Sequence, residues 1–182
     1  ESLKHINKIT EVTDENAFKL DIHTIRNLEI LSSNTTENIF TKGDSSFIAV
    51  VDKTVTPMGA RLLRHNIVTL SKDIEVINKK HIAIAEFLSN TSLKFELDSL
   101  LKSIGDIPRL TAKINSVTAG PKDLVNLKDY LIQSILIIKK IYTNPVYQII
   151  TELEQAKDID NTIKEIIEIT KKIDRSIIDE PP

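Results

Sequence analysis

Apolar residues recur along this chain at helical intervals, each group placing one apolar face against polar surroundings. Ile74, Ile77, His81, Ile84/Ala85 and Leu88 share one such face. Leu124, Leu127, Leu131, Ile135 and Ile138 form a stripe through a predicted helix over 121–142. Ile163, Ile166/Ile167, Thr170, Ile173 and Ile177 form another over 160–178, whose opposite face carries Lys164, Glu165, Glu168 and Lys171. Shorter helices are predicted over 22–32, 44–52, 57–68, 92–103 and 107–117. Ala17-Phe18-Lys19-Leu20 alternates instead, which predicts an isolated short strand entering the first of them. Residues 34–44 are polar with one glycine and read as a surface loop.

Prolines punctuate these patterns. Thr56-Pro57 and Asn144-Pro145 each set a capping side chain before a proline at the first helical position, where the missing N–H costs nothing. Gly120-Pro121 serves likewise, with Asp123 in the first turn where the helix dipole favours an acid. Gly105-Asp106 reads as a helix stop followed by a new N-cap, and Pro108 is early enough to be tolerated. No repeat of 20–50 residues is evident, so a solenoid is not expected. The reading is all-α: one domain built as a multi-helix bundle, with two long helices near its C-terminus and one short strand near its N-terminus.

Composition agrees with that. Thirty Ile and 18 Leu supply an aliphatic core, while four Gly and six Pro are few for an all-β protein. A length of 182 residues fits one ordinary domain. Residues 1–120 carry 15 basic and 15 acidic groups, and 121–182 carry 9 and 11, so no basic segment is available to neutralise phosphates. A strong autonomous grip on nucleic acid is therefore not expected. Zero Cys removes disulfides, thiolate zinc sites and a Cys nucleophile, and is compatible with a reducing cytoplasm. The apolar run Ile135–Ile138 is far too short to span a bilayer. Glu1 at one end and Asp179-Glu180-Pro181-Pro182 at the other read as cuts from a longer chain.

The search for chemistry is mostly negative. A P-loop needs a Gly-rich run ending in Gly-Lys-Ser/Thr, but Gly43 and Gly59 stand alone and Lys42-Gly43-Asp44 has the wrong order. His5, His23, His65 and His81 share no metal-ligand spacing, and Asp21 and His23 would alternate in direction if extended. Glu152/Glu154 and Asp158/Asp160 lie among lysines and read as solvated helix surface. No Gly-x-Ser-x-Gly elbow is present. No catalytic, cofactor-binding or metal-ligating residue is expected.

Two segments are more specific than composition. Asp52-Lys53-Thr54-Val55-Thr56-Pro57-Met58-Gly59-Ala60-Arg61-Leu62-Leu63-Arg64 is a helix end, a turn and a capped helix start. There Gly59 would let another backbone approach the first turn, and Leu62/Leu63 would face inward. In Gly105-Asp106-Ile107-Pro108-Arg109-Leu110, Asp106 caps and Arg109 lies one turn on for an i, i+3 pair. Taken alone, both read as capping architecture.

Taken together, they resemble the MutS family of DNA mismatch-repair proteins. The order Leu20-Asp21-x-x-Thr24-x-Arg26-Asn27-Leu28-Glu29, then Asp52-x-Thr54-x-Thr56-Pro57-Met58-Gly59-x-Arg61-Leu62-Leu63-Arg64, is similar to that family. Ile104-Gly105-Asp106-Ile107-x-Arg109-Leu110, Pro121-x-Asp123-Leu124-x-x-Leu127 and Ile177-x-Asp179-Glu180-Pro181-Pro182 continue it in order. The likeness covers nearly the whole chain and points to the central core, or lever, domain. There are departures: Asn66 and Thr69 stand where the family usually has Trp and Pro, and Pro108 replaces an acid.

The resemblance implies a non-catalytic core domain spanning 1–182. Residues 1–15 would lie on the connector side, and 121–182 would be lever helices leading to a DNA clamp. It implies Thr56, Pro57, Met58, Gly59, Arg61, Arg64, Asp106 and Arg109 as structural motif residues. The parent would be a cytoplasmic, dimeric, DNA-dependent ATPase. Its ATP and Mg would sit in a separate ATPase domain, and its partners would be the other MutS domains and mismatched duplex DNA. No cofactor and no membrane are implied for this chain, which is expected to self-associate in isolation. A divergent MutS relative acting in recombination shares this scaffold. An unrelated helical interaction module would have to explain the ordered motifs by coincidence.

Overall fold

Side-chain caps start most of the helices, so the punctuation of the sequence becomes the skeleton of the fold. The computed structural model describes residues 17–32, 45–142, 144–153 and 158–177, with side chains left out at 151–153. The order is β1 (Ala17–Lys19), α1 (Ile22–Asn27), α2 (Phe47–Val51), α3 (Pro57–Val68), β2 (Thr69–Ser71) and α4 (Ile74–Ser89). It continues with α5 (Thr91–Lys102), α6 (Ile107–Asn115), α7 (Pro121–Tyr142), α8 (Pro145–Leu153) and α9 (Ile159–Ser176). The described residues are all-α apart from two short strands. The expected loop at 34–44, the segment 1–15 and the chain end after Ile177 lie outside the described residues.

The predicted strand is not isolated. β1 runs antiparallel to β2, with Ala17 opposite Ser71, Phe18 opposite Leu70 and Lys19 opposite Thr69. A lone strand would leave its backbone donors and acceptors unmet, and β2 supplies partners. Leu20 extends the pairing by donating its N–H to the Val68 carbonyl at 2.9 Å. Thr69 donates its own N–H to the His65 carbonyl and closes α3.

Helix ends differ from the periodicity where the backbone turns left-handed. α1 stops at Asn27 rather than 32: Glu29 has φ 49°, and the N–H groups of Glu29 and Ile30 return to the carbonyls of Arg26 and Ile25. α6 stops at Asn115 in the same way. Val117 has φ 56°, its N–H donates to the Ile114 carbonyl, and that of Thr118 donates to the Lys113 carbonyl. Both are Schellman ends, which apolar spacing does not reveal.

α7 is the axis of the bundle, packing on α5, α6, α8 and α9, while α4 packs on α5, α8 and β2. Its stripe points inward: Leu127 and Ile135 are buried, and Leu124, Leu131 and Ile138 are half-covered. α9 meets it with Ile163, Ile166, Ile173 and Ile177 half-covered and Thr170 buried. Lys164, Glu165, Glu168 and Lys171 face solvent. Ala83, Leu93, Leu97, Ile104 and Val146 complete the bundle's buried apolar set among the described residues.

The face assigned to α4 is a correction. Ile74, Ile84 and Leu88 are 71 %, 55 % and 63 % exposed, His81 and Ala85 are exposed too, and Ile77 alone of that set is half-covered. The covered face runs instead through Val76, Ile77, Ala83 and Phe87. α4 is apolar around most of its circumference, so periodicity allowed two faces and packing on α5 and α8 chose between them.

Candidate functional site

The first motif folds largely onto itself. Asp52 follows α2, and its Oδ1 accepts from the Thr54 N–H at 3.0 Å and the Thr54 hydroxyl at 2.6 Å. Those bonds, the Thr54 hydroxyl first, hold the Asp52 carboxyl below the usual range. Arg64, on the third turn of α3, brings Nη2 to 3.7 Å from Asp52 Oδ2. Thr56 is extended (φ −125°, ψ 146°), and its Oγ1 accepts the Gly59 N–H at 3.0 Å. Pro57 occupies the first turn, and Met58 is half-covered beside it.

Gly59 has a different reason from the one its spacing suggests. A Cβ there would stand 2.9 Å from Thr56 Oγ1 and 3.5 Å from Thr54 Cβ. The glycine therefore makes room for its own helix cap rather than for another backbone. The inward placement of Leu62 is also corrected: Leu62 is 55 % exposed, and Leu63 is half-covered.

The second motif is tied elsewhere. Asp106 caps α6, accepting the Arg109 N–H on Oδ1 at 3.2 Å. Its side-chain partner is Arg61 of the first motif, 45 residues earlier. Nη1 reaches Oδ2 at 2.7 Å and Nη2 reaches Oδ1 at 2.8 Å, a two-pronged charge-assisted contact. Arg61 draws the Asp106 carboxyl down to about 2, helped by the Arg109 N–H. The anticipated Asp106–Arg109 side-chain pair is thus replaced by Arg61, and Arg109 contributes its backbone and a smaller electrostatic effect.

Just before Asp106, Gly105 lies under a ring of α7. A Cβ at Gly105 would sit 2.4 Å from Tyr130 Cε2 and Cζ. Its φ is not in the left-handed region, so the glycine serves close approach rather than a helix stop. Further contacts fix the helices that follow. Asp123 Oδ2 accepts the Gly120 N–H at 3.1 Å, and both its oxygens accept from Lys113 Nζ of α6 at 3.0 and 3.2 Å. The Lys113 ammonium, then the Gly120 N–H, lowers the Asp123 carboxyl. Lys128 is buried on α7, with Nζ 2.9 Å from Asp174 of α9. Lys140 of α7 pairs with Glu96 of α5.

None of these longer-range partners was legible as a motif, because spacing reports neighbours along one helix and not partners across two. His23, His65 and His81 are exposed on three different helices. Among the described residues, no group of three or more His, Asp or Glu could hold a metal ion, and no helix is long and apolar enough to cross a membrane.

The described fold and motifs define a class: a helical scaffold domain whose characteristic polar residues cap helices and tie one element to another. The family model for MutS domain III matches residues 23–182, and the chain belongs to the MutS family. It is similar to the DNA mismatch repair protein MutS of Caldanaerobacter subterraneus subsp. tengcongensis, 38 % identical over 180 residues, which is 99 % of this chain and 19 % of that protein. The MutS of Alkaliphilus oremlandii is 37 % identical over 99 % of this chain and 19 % of its own length. That of Aquifex pyrophilus is 31 % identical over 93 % and 18 %. The chain therefore spans about a fifth of the curated relatives it matches.

Proposed function

We propose that this chain is the lever of a DNA mismatch-repair protein, carrying conformational change between a distant ATPase and a DNA clamp, and that it is not itself an enzyme. The observation that supports this most is the match of its sequence to the MutS domain III family over residues 23–182. The helical frame suits the role physically. α7 is 22 residues long, about 33 Å at 1.5 Å per residue, and is braced along its length by α5, α6, α8 and α9. Such a helix moves as a rigid rod. ATP and Mg, the clamp contacts to mismatched duplex DNA, and dimerisation belong in this reading to other domains of the parent, acting in the cytoplasm.

The test weakens the rod without touching its contacts. Asp129→Gly with Lys139→Gly, both at exposed positions of α7, together cost about 1 kcal/mol of helix propensity. In the full-length protein, ATP turnover without DNA and DNA binding without ATP should persist, while the response of each to the other falls. Unchanged coupling in a variant with demonstrably softened α7 would reject the lever. The 182-residue chain alone should hydrolyse no ATP and bind duplex DNA weakly; submicromolar, mismatch-selective binding by it would reject the division of labour.

A further inference from the structure

We infer that Arg61 and Asp106 form an ionic latch that fastens the N-terminal unit, from β1 to β2, onto the helical bundle and so fixes the angle between them. The reason is where the two residues lie. α3 runs straight into β2, and α4 begins three residues after β2 ends, so the unit passes into the bundle through the short junction between Ser71 and Ile74. That junction is itself held, with the Asp73 N–H donating to Ser71 Oγ at 3.2 Å and Asp73 capping α4. α3 and α6 do not lie broadly against each other. The arginine's long side chain crosses from one to the other and closes both prongs on Asp106 at 2.7 and 2.8 Å.

A pivot at one point and a tie at another make a hinge with a clasp. The tie sits at the first turn of α6, whose far end is bonded to α7 through Lys113 and Asp123. A pull on α3 is thereby delivered to the long helix. The Arg61 side chain is half-exposed while that of Asp106 is mostly covered, so salt can reach the contact. The carboxylate stays ionised down to about 2, so protons do not open it at working pH. This role deepens the lever reading and rests on it for its purpose, but its geometry is tested separately.

The experiment uses the full-length protein with cysteines placed at Asn66 of α3 and Asp129 of α7, both exposed, and no other cysteine. Spin labels there report the distance between the unit and the bundle by pulsed electron resonance, without nucleotide or DNA. The unaltered pair should give one narrow distribution. Arg61→Met removes the tie and leaves the cap. Asp106→Ser also removes the tie, but keeps a side chain that caps well. Each should broaden the distribution, and the double variant should broaden it no further than either single one. If both retain the narrow distribution, there is no latch. If only Asp106→Ser broadens it, the ordering does not depend on Arg61, and the latch is again refuted. The coupling assay on α7 judges the lever whichever result is found.

Discussion

At the scale of single residues, the motif Thr56 to Gly59 shows a side chain and a missing side chain acting as one device. The Thr56 hydroxyl meets the Gly59 N–H at 3.0 Å, in the space a Gly59 Cβ would crowd at 2.9 Å. Thr56→Ala should therefore destabilise by about 1 kcal/mol. Gly59→Ala should also destabilise, because it displaces the cap. In the Thr56→Ala background the crowded atom is gone, and alanine's better helix propensity should make Gly59→Ala neutral or stabilising. Urea midpoints of the four proteins check this; additive losses would mean that the two positions act independently. Val117 is the opposite case. It holds φ 56° with a β-branched side chain, is 92 % exposed, and closes α6 where glycine is the usual residue. Val117→Gly should stabilise by about 1 kcal/mol, read as a higher midpoint in thermal unfolding. Caps of this kind were legible because they pair a residue type with a neighbour. Val117 was not, since nothing in its sequence marks a valine as left-handed.

At the scale of elements, what the sequence conveyed was which residues want burial, and what it withheld was which surface would bury them. The apolar face that spacing picks out on each of α7 and α9 is the covered one, Ile167 excepted at 38 % exposure. α4 has more than one, and its visible stripe through Ile74, Ile84 and Leu88 is the exposed one. Asp106 was read as a cap, which it is, but its arginine comes from another helix. Gly105 was read as a stop, yet the Tyr130 ring of α7 is what excludes a side chain there. Gly105→Ala must push either Tyr130 or the α5–α6 connection aside, because 2.4 Å leaves no room for a methyl group. A loss of about 1–3 kcal/mol is the expected cost of such overpacking. Tyr130→Leu in the same chain should recover part of it by removing the far end of the ring. Equal midpoints for Gly105→Ala and the parent in chemical unfolding would show that the contact yields freely.

At the scale of the whole molecule, the question is what the bundle leaves uncovered. Where α7 and α9 meet, their stripes cover each other in part, while Ile132, Leu136, Ile167 and Ile169 stay exposed. Among the described residues, exposed large apolar side chains stand on several elements; α4 carries Ile74, Ile82, Ile84 and Leu88, and on α5 Phe95 is 77 % exposed. Apolar area removed from water contributes about 25 cal/mol per Å², so a helix face of this kind favours association. The 182-residue chain by itself should therefore self-associate through α4 rather than by pairing its C-terminal helices. Ile84→Lys with Leu88→Lys should render it monomeric while leaving the unfolding free energy of the folded chain within about 0.5 kcal/mol of the parent, because both side chains face solvent in it. Ile163→Lys with Ile166→Lys should instead unfold or loosen α9, since those residues are half-covered. Sedimentation velocity across a hundredfold range of concentration distinguishes the surfaces. A parent that stays monomeric throughout, or one whose association survives the α4 substitutions, would show that this face does not drive assembly.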